Sequence, residues 1–273
     1  MARALVEDLG AGDVTSEATV SAEARGRARI VQKEAGVVYG FGVVAEVMRQ
    51  CGVEDVDNLV VEGQWREDVP AEVLFANGPA AALLAAERTA LNFLGHLSGV
   101  ATLTARFVEA IAGTGAAILD TRKTTPGLRE LEKAAVLSGG GRNHRMGLYD
   151  AVLIKENHIA LAGSLAKAVH AARTKHPDLA VEVETRNLDE VAYALGTGAD
   201  ILLLDNMDLE TLRRAVRLRD ENAAGKGPSL EASGGVNLDT VRGIAETGVD
   251  LISVGALTHS APTLDFSMLI ELS

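Results

Sequence analysis

The stretch from Ala180 to Asp205, A-V-E-V-E-T-R-N-L-D-E-V-A-Y-A-L-G-T-G-A-D-I-L-L-L-D, sets the fold class. A short valine-rich run, a helical stretch opened by Asn187 and a second aliphatic run follow one another, which is a βα unit returning to a strand. The alternation repeats on both sides of this stretch, from about residue 116 onward. It predicts strands over 116–120, 151–155, 180–184, 199–205, 229–233 and 249–254. The first five end on Asp120, Lys155, Glu184, Asp205 and Ser233. In a parallel α/β barrel the C-terminal strand ends and the loops beyond them form the active-site face, so polar endings in register mark that face. Ser164, Asn187 and Asn237 stand where helix N-caps are needed.

Working outward, residues 1–100 differ in character, and we expect a separate α/β domain with its boundary near residue 100. Pro79 is placed to begin a long helix over A-A-A-L-L-A-A-E-R-T-A-L-N-F-L-G-H-L-S-G. Leu84, Leu91 and Leu94 are expected to share its apolar face, with Gly95 and Gly99 loosening it. Residues 101–264 then form the second domain. The tail 265–273, containing F-S-M-L-I-E-L, is too apolar to float free and is expected to pack back on the first.

The chain has 273 residues, 47% of them hydrophobic, so it can bury a substantial core. Its 28 glycines and 3% aromatic content suit tight strand-to-helix turns better than a β-sandwich. A single cysteine, Cys51, excludes an internal disulfide and makes a thiolate zinc site implausible. No apolar run is long enough to span a membrane and no signal-peptide pattern is present, so a soluble cytoplasmic protein is expected. A net charge of −12 argues against nucleic acid as a partner.

That acidic balance inverts locally. Between 120 and 155, seven cations (Arg122, Lys123, Arg129, Lys133, Arg142, Arg145, Lys155) face four acids (Asp120, Glu130, Glu132, Asp150). Clustered cations repel unless an anion sits among them, so this segment reads as a site for a multiply charged ligand. Arg122 offers a planar fork and Lys123 a point charge directly beyond strand 116–120. Gly139–Gly141 followed by Arg142, Asn143, His144 and Arg145 reads as a loop bringing further donors. Lys155, ending an apolar strand, calls for a carboxylate partner or an anionic ligand. Glu184 and Asp205 could supply that partnership, hold Mg²⁺ through water or accept hydrogen bonds from sugar hydroxyls, and the residues alone leave these open. The turns at Ser233–Asn237 and Val254–Ala256 would expose backbone N–H groups to phosphate. Taken alone, Glu87 and Arg88 read as solvated, and His96, His170 and His176 lack ligand spacing. Walker, nucleophile-elbow and H-E-x-x-H signatures are missing from the sequence.

The chain resembles the quinolinate phosphoribosyltransferases over nearly its whole length. The resemblance is carried by ordered blocks: E-D-L-G-A-G-D-V-T-S, K-E-A-G-V-V-Y-G, E-R-T-A-L-N-F-L-G-H-L-S-G, D-T-R-K-T-T-P-G-L-R, N-H-R-M-G-L-Y-D, L-I-K-E-N-H, E-V-E, L-L-L-D-N, E-A-S-G-G-V and V-G-A-L-T-H-S. It implies an N-terminal α/β sandwich domain joined to an incomplete, open α/β barrel. It also implies a homodimer, or a higher oligomer built on one, in which Arg88 reaches the partner's site. There Arg88, Arg122, His144 and Arg145 would clamp the quinolinate carboxylates. Lys123 and Lys155 would lie along quinolinate and phosphoribosyl pyrophosphate, Glu184 and Asp205 at the ribose hydroxyls and Mg²⁺, and Ser233, Gly234 and Gly255 around the 5′-phosphate. Lys123, Lys155, Glu184 and Asp205 are the expected catalytic residues. The implied reaction is phosphoribosyl transfer to quinolinate with loss of CO₂, giving nicotinate mononucleotide. Three other readings stand beside it: a relative acting on another ring acid, a Schiff-base aldolase built on Lys155, and a non-catalytic binding protein.

Overall fold

The computed structural model describes residues 1–222 and 227–272. Two compact units emerge, one comprising 1–105, 134–140 and 261–273, the other 106–133 and 141–260.

The first unit is formed by α1 (Ala2–Leu9), α2 (Val14–Thr19), β1 (Arg25–Gln32), β2 (Gly36–Val37), α3 (Phe41–Gln50), β3 (Asp55–Asn58), β4 (Trp65–Arg66), β5 (Ala71–Pro79) and most of α4 (Ala80–Ala110). The second continues with β6 (Ala117–Leu119), α5 (Arg129–Ser138, shared with the first unit), β7 (Val152–Ile154), α6 (Glu156–Ala162), α7 (Leu165–Lys175), β8 (Val181–Thr185), α8 (Leu188–Leu195), β9 (Ile201–Asp205), α9 (Leu209–Asn222), β10 (Ser229–Ser233), α10 (Val241–Ala245), β11 (Leu251–Ser253) and α11 (Ala256–His259). The chain ends in β12 (Phe266–Leu272), which belongs to the first unit.

In the first unit, β12-β1-β5-β3 form an antiparallel sheet. Along β1 exposure alternates, with Ala28 and Ile30 inward and Arg27 outward, as a sheet covered on one face requires. The apolar tail 266–272 pairs along the whole of β1, from Gln32↔Phe266 to Gly26↔Leu272. Phe41, Val44, Val47 and Met48 of α3 and Leu83, Ala86, Ala90 and Leu94 of α4 complete this core.

Two expectations for α4 are corrected. Leu84 is 39% exposed, and Leu83 holds the buried position instead, because the buried row runs 83, 86, 90, 94, 97 and 101 at helical spacing. Gly95 and Gly99 do not loosen the helix, which runs on to Ala110. They admit the incoming chain: a Cβ on Gly99 would stand 2.1 Å from the Pro262 carbonyl oxygen, and one on Gly95 2.7 Å from Thr263 Cγ2.

The second unit has a six-stranded sheet of order β6-β11-β10-β9-β8-β7, every adjacent pair parallel. Its strands are buried on both faces, as the burial of Val181, Glu182 and Val183 on β8 illustrates. Among the described residues β6 and β7 are the outermost strands of this sheet and do not pair with each other, so it does not close. Every expected βα strand is present, shortened by a residue or two at several ends. Ser164 and Asn187 cap α7 and α8 by accepting from the Lys167 and Glu190 amides. Asn237 accepts from the Asp239 and Thr240 amides, stabilising the turn before α10.

Candidate active site

Period-two geometry collects the functional side chains in the second unit. Residues two apart on a strand share a face, so Glu182 and Glu184, Leu203 and Asp205, and Glu231 and Ser233 point the same way. The parallel register places Leu203 between Glu184 and Glu231, and Ser233 between Asp205 and Ser253. With Thr121, Arg122 and Lys123 beyond β6, and His144, Arg145 and Lys155, all of these except Glu182 line one cavity of about 250 Å³.

The loops carrying the cations are stitched together by Arg129. Its guanidinium donates to Thr124 Oγ1 at 2.9 Å, the Met146 carbonyl at 3.1 Å and the Arg122 carbonyl at 3.4 Å. Asp150 accepts the Met146 and Gly147 amides at 2.6 and 2.9 Å, which tightens the turn beyond Arg145. Burial, with Arg122 nearby, pulls the Arg145 guanidinium below its ordinary value. Arg122 Nε is buried without a partner. Two guanidiniums held near one another, one with an unmet donor, are what a bound polyanion would satisfy.

Lys155 donates to Glu184. The partnership expected of it is present, although its side chain is 47% exposed and so escapes the cost of full burial. Asp205, at the end of β9, is half-buried in the same cavity. Beyond β10, Gly234 has φ 105°, and a Cβ there would lie 2.2 Å from Asn206 Oδ1. The turns after β9 and β10 therefore interlock, and the Asn206 amide also donates to the Ser233 carbonyl at 2.8 Å. Gly255 lies against Lys123, with its Cβ position 3.3 Å from Lys123 Cδ, and Thr258 Oγ1 donates to the Lys123 carbonyl at 2.8 Å. Neither Gly234 nor Gly255 is among the residues lining the cavity. α10 and α11 are only 5 and 4 residues long, so their turns offer backbone donors with little helix dipole behind them.

At the cavity floor lies a cluster not expected from the sequence. His144 Nε2 is 2.9 Å from Glu182 Oε2 and 3.6 Å from Glu231 Oε2, while Nδ1 accepts the Arg145 amide at 2.8 Å. The Arg145 contact makes Nδ1 an acceptor, so the neutral ring carries its proton on Nε2 and donates it to Glu182. A cation on Nε2 would need that lone pair free while Nδ1 stays unprotonated, which an ordinary imidazole cannot provide; the trio does not suit a metal in this geometry. Glu231 is fully buried, and Ser253 Oγ donates to it. Burial, with Glu182 second, pushes Glu231 up to about 8. At neutral pH Glu231 is thus a carboxylic acid, which spares the floor a second buried negative charge.

Asp120 departs from the strand-end pattern. It is fully buried and paired with buried Lys133, outside the cavity lining. Arg88 is exposed on α4, in the first unit. A larger cavity, about 540 Å³, lies beside α6 and α8, and its one basic lining residue, Arg186, is already paired with Glu156 and Glu190.

Two family models, quinolinate phosphoribosyl transferase N-terminal and C-terminal domains, match residues 13–98 and 100–269. The chain belongs to the quinolinate phosphoribosyltransferase family. It is 45% identical over 271 residues to the probable nicotinate-nucleotide pyrophosphorylase [carboxylating] of Synechocystis sp., covering 97% of this chain and 90% of that protein. It is 44% identical to the nicotinate-nucleotide pyrophosphorylase [carboxylating] of Mycobacterium leprae, covering 97% and 94%. Among solved structures, the nicotinate-nucleotide pyrophosphorylase of Francisella tularensis superimposes with a TM-score of 0.93 at 38% identity, covering 99% of this chain and 94% of that one. NadC from Streptococcus pyogenes gives 0.92 at 38%, covering 100% and 95%. Family membership makes the chain a phosphoribosyltransferase and sets aside the aldolase and binding-protein readings. No helix among the described residues is long and apolar enough to cross a membrane.

Proposed function

We propose that the cavity of the second unit is where this chain carries out its family's reaction, transfer of phosphoribose from phosphoribosyl pyrophosphate to quinolinate with loss of CO₂, giving nicotinate mononucleotide. The carrying observation is that Arg122, Lys123, Arg145 and Lys155 line the same small cavity as Glu184 and Asp205. Cations suit the ring's two carboxylates and the diphosphate, and carboxylates suit ribose hydroxyls.

In this assignment Arg122 and Arg145 clamp the dicarboxylate, with His144 forming the wall beside them. Lys123 and Lys155 face the diphosphate oxygens. Ser233 with the Gly234 and Gly255 amides receives the 5′-phosphate. The pyridine nitrogen then attacks C1 of the ribose as the C1–oxygen bond breaks, and that electron pair leaves on pyrophosphate. Catalysis here comes from holding the reactants in line and from fixed cations around the departing charge, with no protein nucleophile. The resulting pyridinium nitrogen draws in the electron pair left on C2 as CO₂ departs, and a proton then replaces the carboxylate.

Mg²⁺ belongs to this proposal. Glu184 and Asp205 are oxygen donors bordering the space assigned to the diphosphate, which fits an ion held by one or two carboxylates, substrate phosphates and water. When bound it would neutralise pyrophosphate charge. A homodimer is proposed as well, with Arg88 of the partner subunit joining the clamp; Leu84 and Arg88, one turn apart on α4, are both exposed, as a face covered by a second copy would be. A cytoplasmic setting is proposed on the single cysteine, which suits a reducing compartment.

The test is release of labelled CO₂ from carboxyl-labelled quinolinate, with phosphoribosyl pyrophosphate and Mg²⁺ each omitted in turn. Release that needs all three is expected. Folded protein that releases none would sink the assignment.

A further inference from the structure

The side chain of Lys133 is fully buried, and so is that of Asp120, its partner. A buried ion pair is seldom retained for stability, since apolar residues of similar volume often serve as well or better. What this pair does beyond pairing is therefore informative. Asp120 Oδ1 also accepts the His144 amide at 2.8 Å. Lys133 Nζ also donates to the His144 carbonyl at 3.0 Å. In the orientation its neighbours require, the Asn143 amide nitrogen donates to Asp120 Oδ2 at 2.7 Å and to the Lys133 carbonyl at 2.9 Å. Just upstream, the Arg142 amide donates to the Ile118 carbonyl at 2.8 Å and the Asp120 amide to the Arg142 carbonyl at 3.2 Å, so this segment runs as a short extra strand beside β6. The polar atoms of the ion pair are turned onto one backbone segment, and the next residue along it is Arg145.

We propose that Asp120, Lys133 and Asn143 are positioning residues: a buried latch that grips the backbone of residues 142–144 and so aims the Arg145 guanidinium at the ligand's carboxylates, with the His144 ring set as the wall beside it. The side chains of Asp120 and Lys133 are inaccessible and touch no substrate. They act through the segment they hold. An apolar pair at 120 and 133 would fill the same space and leave the His144 amide and carbonyl unbonded, free to drift by the ångström or so that costs a clamp its geometry. The latch rests on the assignment of the dicarboxylate to Arg122 and Arg145, and it predicts a selective defect. The acceptor ring, clamped by Arg145 next to the held segment, should suffer, while phosphoribosyl pyrophosphate, whose assigned contacts lie outside residues 142–145, should not.

The experiment is steady-state kinetics on Asp120→Leu/Lys133→Met, which removes the acceptor of the His144 amide and the donor to its carbonyl together without stranding a charge. The expected result is a rise of about tenfold or more in KM for quinolinate, with KM for phosphoribosyl pyrophosphate within about twofold of the parent. Hydrogen exchange at the 143–146 amides should also speed up while the rest of the second unit keeps its protection. An unchanged quinolinate KM in the folded double variant would overturn the latch, as would equal losses for both substrates. If the double variant does not fold, Asn143→Ala decides, since it removes a donor and buries no charge: a several-fold rise confined to quinolinate supports the latch, and no change overturns it. Parent protein with no quinolinate-dependent CO₂ release would instead refute the site assignment, an outcome visible before any variant is made.

Discussion

The antiparallel sheet of the first unit and the parallel sheet of the second obey the same period-two rule and put it to opposite use. On β1 the buried positions, Gly26, Ala28, Ile30 and the amide Gln32, carry no charge, and the charges go outward, where Arg29 meets Glu72 at 2.8 Å. On β8 and β10 the charges go inward: Glu182 and Glu231 are buried, with Glu184 and Ser233 on the same face nearer the C-terminal ends. A core that needs only stability can exclude charge. An interior that must receive a polyanion keeps charges inside and matches them to one another until the ligand arrives. The first unit should accordingly lose stability when altered, and the second should lose activity.

Lys155→Ala poses the sharpest challenge to that division. Its activity should fall by about a thousandfold, the upper range for deleting one preorganised charge donor. Its Tm should barely move, because a half-exposed pair contributes under about 1 kcal/mol. A large loss of stability with modest kinetic change would erase the contrast. Leu94→Ala is the converse: deleting a fully buried leucine from the first core should cost about 2–5 kcal/mol in denaturant unfolding while the folded fraction keeps its kcat/KM. Glu231→Gln sharpens the comparison through pH. The folded-state value of about 8 lies above the ordinary 4.5, so between these the folded chain holds a proton that the unfolded chain has released. The contribution of this residue therefore falls as pH rises from 4.5 to about 8. The parent's Tm should drop relative to that of Glu231→Gln across this window in parallel thermal melts. Parallel curves would mean that Glu231 is ionised throughout. Smallest of all, Arg186→Ala breaks the exposed pairing with Glu156 and should change unfolding free energy by less than about 1 kcal/mol.

Much of this was legible in the residues, because strand ends and local charge are one-dimensional signals. The alternating aliphatic runs located the parallel strands, and Arg122, Lys123, Arg145 and Lys155 stood out against an acidic chain. Depth was not legible. Glu182 and Glu231 sit in V-E-V-E and S-L-E-A-S, where alternation shows that they share a face but not whether water reaches it. Asp120 looked like another functional strand ending, yet it is buried against Lys133, a residue on the following helix that patterning alone assigns to no particular partner. Leu84 and Leu83 differ by one helical step of about 100°, and choosing between them requires knowing which side of α4 the sheet occupies. Glu231's protonation depends on neighbours from other strands, which no local window contains.

The pairing of β12 with β1 joins residues at opposite ends of the chain. On the ribosome, β1 emerges early and can meet β5, but its other edge must wait for the final strand. Until then the first unit presents an unpaired edge beside an apolar core. The interval between synthesis of β5 and β12 is thus when this protein is most open to chaperones, and to mispairing with another nascent copy.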